Sequence, residues 1–194
     1  MDFAVPLYLP AQESMRQRLE DDGSWLRTIL DARRQGGPRL ALVDLEGPGR
    51  LPPLPGCARE LVLLAGQGAR LLGPAGAVAS LAPPYGRARL EGAGVAVEPE
   101  TGALQLFELA WPEAVEASVL HRPLVGALYC FTAPCTAWAI HLLAGAATVV
   151  GQGLACRLER GDSAWLPAGP RQRYLLDGGG EALLVRLDTA QPPQ

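Results

Sequence analysis

Apolar residues in this chain come in short runs, cut off from one another by Gly, Pro and Asp-Gly. The runs are Leu40–Leu45, Glu60–Leu64, Ala69–Leu72, Val78–Leu81, Ala88–Leu90, Val95–Val97, Leu104–Leu109, Val115–Leu120, Ala127–Phe131, Ala137–Leu143, Thr148–Val150, Ala155–Leu158, Ser163–Leu166, Gln172–Leu176 and Ala182–Leu187. Short runs at that cadence predict antiparallel strands of a sandwich or barrel. No helical pattern recurs between them, which argues against a parallel α/β sheet. Ala11 to Arg34 is the only long proline-free stretch rich in helix formers, so a short N-terminal helix is expected there. Asp21-Asp22-Gly23-Ser24 interrupts it and predicts a turn, with a new element from Trp25. The tail Ala190 to Gln194 is expected to fray.

An internal repeat organises these runs. Val62-Leu63-Leu64-Ala65-Gly66 and His141-Leu142-Leu143-Ala144-Gly145 match in four of five positions, each followed by a small-residue turn and a second apolar run. Two copies are too few to stack as a solenoid and predict a duplicated domain, halves 1–120 and 121–194, with strands open to exchange between them. In the second half, Gly161, Pro167 and Gly169 keep the Gly-x5-Pro-x-Gly skeleton of the second cupin motif, which the segment resembles. The two glycines are expected to supply turn geometry that a Cβ would disturb, with Pro167 fixing φ and Asp162 favouring the turn. Gln172 stands where that motif carries its metal-binding histidine. Counting back seven from each repeat glycine gives Arg59 and Trp138, the place of the first motif's glutamate. The two histidine positions fall near Pro53 and Pro55, and near Thr132 and Pro134. The resemblance implies an all-β bicupin, two cupin-like β-barrel or jelly-roll halves packed into one compact unit, without the usual metal ligands.

Composition narrows the function classes. With 194 residues, 48% of them hydrophobic and 19% charged, the chain can bury a substantial core. Its net charge of −3 and scattered arginines give no basic face for nucleic acid. All 17 positive residues are arginine, lysine and asparagine are absent, and isoleucine occurs twice, a bias read as GC-rich coding. Met1 to Pro10 lacks a positive n-region and nothing else spans a bilayer, so neither export nor membrane insertion is expected and the location implied is cytoplasmic. Cys57, Cys130, Cys135 and Cys156 show no CxxC spacing and are expected to be buried, reduced thiols. His121 and His141 are not spaced from them as in a zinc site, and no metal or other cofactor is expected.

One segment identifies a family. Gly49-Arg-Leu51-Pro-Pro-Leu54-Pro55-Gly56-Cys-Ala-Arg59 resembles, without gaps, the Gly-Pro-Phe-Ser-x-Phe-Pro-Gly-x-x-Arg signature of the HutD/Ves family, and a strand ending in Gly66-Gln67-Gly68 follows as it does there. Gly102 to Leu109 resembles the family's Asp-Phe-Asn-x-Met segment, keeping Phe107 and replacing the flanking Asp and Asn by Leu106 and Glu108. The usual opening, aromatic-Lys-Asn-Gly-Gly-Gly, gives way to Arg18-Leu-Glu20-Asp21-Asp22-Gly23-Ser24. The resemblance covers roughly residues 15–188. It implies a small cytoplasmic bicupin, linked to histidine utilisation or stress responses, of a family not established as enzymes. The altered polar positions mean that a shared ligand does not follow from a shared fold.

Candidate site residues follow from strand alternation. Arg59, Leu61 and Leu63 share one face, which the cupin analogy makes the interior. Aligning Leu81–Leu90 with Leu166–Leu175 sets Arg87 opposite Gln172, so Arg59 and Arg87 are expected to point into one cavity, with Tyr85 either an aromatic wall or a surface aromatic on its Pro-Pro-Tyr-Gly loop and Phe107 among the candidate ligand-binding residues. A buried guanidinium needs an acidic partner or an anionic ligand. Glu60, Glu91, Glu98, Glu100 and Glu108 are the candidate partners, and a small carboxylate held bidentately is the candidate ligand. The second-half pocket, Trp138, Ile140 and Leu142 with Gln172 as its lone polar entry, reads as filled core. Trp165 reads as packing, His141 as an outer-face or sheet-contact residue, and His121 as lacking a visible partner.

Three functions stay open. The favoured one is a non-enzymatic ligand-binding accessory or regulatory protein; the family resemblance suggests urocanate or formylglutamate as its carboxylate. The second is a metal-independent cupin isomerase or lyase, although the sequence nominates no Ser-His, Cys-His or paired-carboxylate set. The third is an interaction module with a vestigial pocket, whose partner includes a second copy of the chain in a homodimer.

Overall fold

A computed structural model describes residues 3–19 and 24–189; the tail 190–194 and most of the turn expected at 21–24 lie outside the described residues. The chain divides into two compact units, Met15–Glu113 and Met1–Ser14 with Ala114–Gln194. The strands in chain order are β1 (Leu7–Leu9), β2 (Met15–Arg18), β3 (Trp25–Asp31), β4 (Arg39–Leu45), β5 (Gly49–Leu51), β6 (Cys57–Ala65), β7 (Ala69–Gly73), β8 (Gly76–Leu81), β9 (Arg87–Glu91), β10 (Val95–Pro99), β11 (Leu104–Pro112), β12 (Val115–Thr132), β13 (Thr136–Gly151), β14 (Leu154–Glu159), β15 (Ser163–Leu166) and β16 (Gln172–Thr189). The all-β architecture of paired antiparallel strands is the one that the short apolar runs predict. No described helix is long and apolar enough to cross a membrane.

Among the described residues, the helix expected over residues 11–34 does not form. Its place is taken by single 3-10 turns at Ala11–Glu13 and Arg33–Gln35 and by β2 and β3. β3 pairs with β4 along its length, with a bulge between Thr28 and Leu30. Leu26 and Leu30, both buried, have the i, i+4 spacing of a helix. A stretch this short, broken by Asp-Asp-Gly, is marginal as an isolated helix, and pairing with a buried strand wins.

Unit Met15–Glu113 is a sandwich. A six-stranded sheet, β2-β3-β4-β11-β6-β9, and a four-stranded sheet, β5-β10-β7-β8, share a core that includes Leu26, Val43, Leu61, Leu63, Leu71, Leu81, Val97 and Leu106. Strands β4, β6 and β11 are buried along most of their length, which is why they read as near-continuous apolar runs.

The other unit is one six-stranded sheet, β1-β15-β13-β16-β12 with β14 on β13. The N-terminal β1 pairs with β15 and so belongs to this unit. Several predicted runs fuse here: Val115–Leu120 with Ala127–Phe131, Ala137–Leu143 with Thr148–Val150, and Gln172–Leu176 with Ala182–Leu187 become the continuous β12, β13 and β16. Their glycines bend strands instead of ending them. Gly145 and Gly180 face each other across β13 and β16 at φ 81° and 127°, beside a bulge between Leu142 and Ala144. A Cβ on Gly180 would stand 1.9 Å from the Ala144 carbonyl oxygen, and one on Gly145 would stand 2.0 Å from that of Gly179. The bends let both halves of each long strand supply one core, from Ile140 and Leu142 to Val149, and from Tyr174 and Leu176 to Leu184.

The repeat is visible in the backbone. Gly66 and Gly145 both have positive φ, but β6 ends before Gly66 whereas β13 continues through Gly145. Of the two motif glycines, Gly161 has φ 90°, while Gly169 lies outside the positive-φ region with nothing within 4 Å of an added Cβ. The expectation that both reject a side chain holds for Gly161 alone. Asp162 fixes the motif turn, accepting from Tyr8 Oη at 3.0 Å, Ala11 N at 2.8 Å and Glu159 N at 2.9 Å.

Candidate functional site

Three neighbouring strands of the sandwich place charge in its interior. Arg39 on β4 and Arg59 on β6 both stand opposite Ala110 of β11, and Glu108 lies two residues along on the same face. The small Ala110 leaves room for both guanidinium groups to turn towards the carboxylate. Arg59 Nε is 2.8 Å from Glu108 Oε1, close enough for an ion pair but not aligned as a hydrogen bond. Arg39 Nη2 donates to Glu108 Oε2. Arg59 Nη2 donates to the Pro52 carbonyl at 2.6 Å, tying the cluster to the signature loop. Arg59 is 0% exposed, as the alternation with Leu61 and Leu63 requires.

The cluster holds two guanidinium groups and one carboxylate, and Arg59 Nη1 and Arg39 Nε have no hydrogen-bond partner among the described residues. Burial is the largest influence on Arg59 and lowers its proton affinity; Glu108 opposes that, and Arg39 adds to it. One carboxylate thus offsets only part of the desolvation of two buried guanidinium groups.

A cleft of about 400 Å³ opens beside the cluster, with Arg33, Gly37, Pro53, Leu54, Cys57 and Pro112 among its lining. Its wall is the signature segment itself. Gly92 permits the close packing of that segment, since a Cβ there would stand 2.2 Å from the Leu54 carbonyl oxygen. Arg33 is held by Asp31 through bonds of 2.8 and 2.6 Å, and that pair raises the arginine and lowers the carboxylate from their ordinary values. Glu108 also raises Arg33, so the cleft and the buried cluster share one field.

The structure brings together only part of the expected site. Arg59 and Glu108 meet, but Arg87 opposes Val62, whose side chain points away from that of Arg59. Arg87 is exposed, with its Nη1 3.7 Å from Glu60 Oε1. Burial raises the Glu60 carboxyl, against the lowering by Arg87 and Arg89. Phe107 is 0% exposed on the face of β11 opposite Glu108, and half-buried Tyr85 sits at φ 56° outside the cleft lining. Arg39 and Arg33 are additions. Arg39 was detectable as the charged residue at the parity of Ala41, Val43 and Leu45, whereas Arg33 lies in the segment taken for helix.

In the other unit Trp138 and Gln172 line a second cleft, while Ile140 and Leu142 fill the core beneath. The aliphatic pair is fully part of the core, while half-buried Trp138 packs against that core at its edge and also lines the cleft. Among the described residues no three His, Cys, Asp or Glu side chains converge, and Arg59, Trp138 and Gln172 at cupin ligand positions do not fit a metal ion. His141 Nδ1 lies 2.8 Å from Ser163 Oγ, a Ser-His contact the sequence did not suggest, but both residues are sealed at 2% and 0% exposure. His121 Nε2 lies 3.2 Å from Glu181 Oε2, supplying the partner that sequence reasoning did not find.

The HutD family pattern matches residues 35–184 of the chain. A conserved protein of unknown function from Pseudomonas aeruginosa PAO1 superposes with TM-score 0.81 at 19% identity, over 96% of this chain and 100% of that one. HutD from Pseudomonas fluorescens SBW25 gives 0.74 at 19% identity, over 96% and 100%. Oxalate decarboxylase from Lactobacillus farciminis gives 0.68 at 10% identity, over 95% and 86%. No curated protein matches in sequence. At these identities the superpositions establish the cupin-like fold.

Proposed function

Because the chain belongs to the HutD family, we propose that it is a non-enzymatic accessory protein that binds a small carboxylate and acts as a regulator. The observation that carries this is the buried excess of positive charge: Arg39 and Arg59 share one carboxylate, with guanidinium N–H groups left unbonded among the described residues. A carboxylate in the adjoining cleft meets Arg33 at the rim and lies in the field of the cluster below. Charge-assisted hydrogen bonds of about 1.5–3 kcal/mol each would hold it. The family's association with histidine utilisation makes urocanate and formylglutamate the first candidates, and a cytoplasmic location is part of the same proposal. The oxalate decarboxylase structure is a formate complex, a carboxylate held by a protein of this fold.

Thermal unfolding with urocanate and with formylglutamate tests the reading. Saturation at a hundred times the dissociation constant adds about 2.7 kcal/mol. Arg33→Ala, at the cleft rim and outside the core, removes that gain. No gain with either compound, an equal gain in the variant, or conversion of the compound to product would each defeat the proposal.

A further inference from the structure

The unit containing β12 to β16 carries a second cleft, of about 520 Å³, with arginines from two places on one strand system. Arg171 and Arg173 flank Gln172 at the start of β16, and Arg186 comes from its far end. Trp138 of β13 stands opposite Arg186 in the register, and the guanidinium carbon lies 5.9 Å from the indole centroid. The indole is pinned at its other edge, donating from Nε1 to the Phe131 carbonyl at 2.9 Å. One aromatic face is thus fixed in place, half-buried, at the cleft wall.

The polar groups fall into two kinds. Arg186 is compensated, with its Nε 2.9 Å from Asp188 Oδ2, and Asp188 is held in turn by Thr136 Oγ1 at 2.7 Å. Arg171 and Arg173 have no carboxylate partner among the described residues; Arg173 lies 4.9 Å over the Tyr129 ring. Gln172 accepts from Tyr174 Oη at 2.6 Å through its oxygen, which leaves its amide nitrogen as a donor. The cleft lining therefore includes two arginines without a carboxylate partner among the described residues, an amide donor and a fixed flat ring. Exposed arginines bind single carboxylates weakly in water, but two charges beside an aromatic wall select an anion with a flat body.

We propose that this cleft is an anion-binding site for a small planar dicarboxylate, a conjugated or aromatic body stacked on Trp138 with its carboxylates on Arg171 and Arg173. The site is built from residues of the second unit only and does not depend on the Arg59 cluster or on the function proposed for it.

Titration with isophthalate and terephthalate, followed by tryptophan fluorescence and calorimetry at low salt, tests it. The expected result is saturable binding of at least one isomer with a change in indole emission. Affinity should fall roughly tenfold or more in the Arg171→Ala/Arg173→Ala double variant, and added salt should weaken it. Trp138→Leu should lower affinity and remove the emission change, while Arg33→Ala should leave both as in the parent. Because Arg171 and Arg173 are exposed, the double variant keeps its fold, which its melting curve verifies. No saturable binding of either isomer, unaltered affinity in the double variant, or equal affinity for benzoate or adipate would overturn the assignment. Loss of binding in Arg33→Ala would overturn the independence of the two sites.

Discussion

Arg59 and Glu108 are an ion pair 2.8 Å long in which neither side chain is more than 1% exposed. Breaking a buried pair from one side strands the other charge in the interior, at about 3–5 kcal/mol. Arg59→Ala and Glu108→Ala are each expected to lose about that much in denaturant unfolding. Arg59→Met with Glu108→Leu and Arg39→Met should recover most of it, because apolar groups of similar volume need no partner. A triple variant as unstable as the single ones would show that the cluster is not the source of the loss.

The pair Gly180 and Gly145 gives a second prediction. An alanine at Gly180 must adopt a left-handed φ and clear a carbonyl 1.9 Å away, so Gly180→Ala is expected to cost about 2 kcal/mol or more, or to prevent folding. Gly179, whose added Cβ would meet only the Leu124 carbonyl oxygen at 4.0 Å, is the control, and Gly179→Ala should stay within about 1 kcal/mol of the parent. Equal destabilisation by both would refute the bend as the cause.

Thiol labelling checks the cysteines. Cys130 is buried and its thiol is pushed up to about 12, whereas Cys57, Cys135 and Cys156 are partly accessible, contrary to the expectation of four buried thiols. Thiolate is the reactive form. A thiol reagent at pH 8 should therefore modify the three accessible cysteines and reach Cys130 only after denaturation. Early modification of Cys130 in the native protein would contradict its burial.

Two carboxyl groups give opposite pH signatures. Glu60 is raised in the folded state by burial, so its contribution is most favourable below the ordinary glutamate range and is lost as pH rises through the raised value. Asp31 is lowered, chiefly by its hydrogen bonds with Arg33, so its contribution is present above the ordinary aspartate range and is lost as pH falls through the lowered value. Melting curves across pH should show Glu60→Gln gaining on the parent towards neutrality, and Asp31→Asn losing its disadvantage in acid. The reverse order for either variant would refute the corresponding environment.

The short apolar runs with their Gly and Pro punctuation determined an all-β chain, and the motif glycines with Pro167 and the segment Gly49–Arg59 carried its resemblance to cupins and to the HutD family. Those are local properties: turn residues and side-chain alternation act over a few positions. What the glycines near Gly145 and Gly180 do, ending strands or bending them, is not local, because it depends on which strand crosses opposite. For the same reason Trp25–Asp31, inside the stretch expected to be helical, followed its pairing with β4 over its local composition. The sequence offered Glu108 as one of five candidate partners for Arg59, but only the register of β4, β11 and β6 selected it, joined the two with Arg39 and sent Arg87 to the opposite face. Arg171, Arg173 and Arg186 looked scattered in a chain whose every basic residue is arginine, and the return of β16 alongside β13 gathered them on one cleft. Strand pairing brings together residues far apart in the chain, and no periodicity within one segment encodes its partner's register.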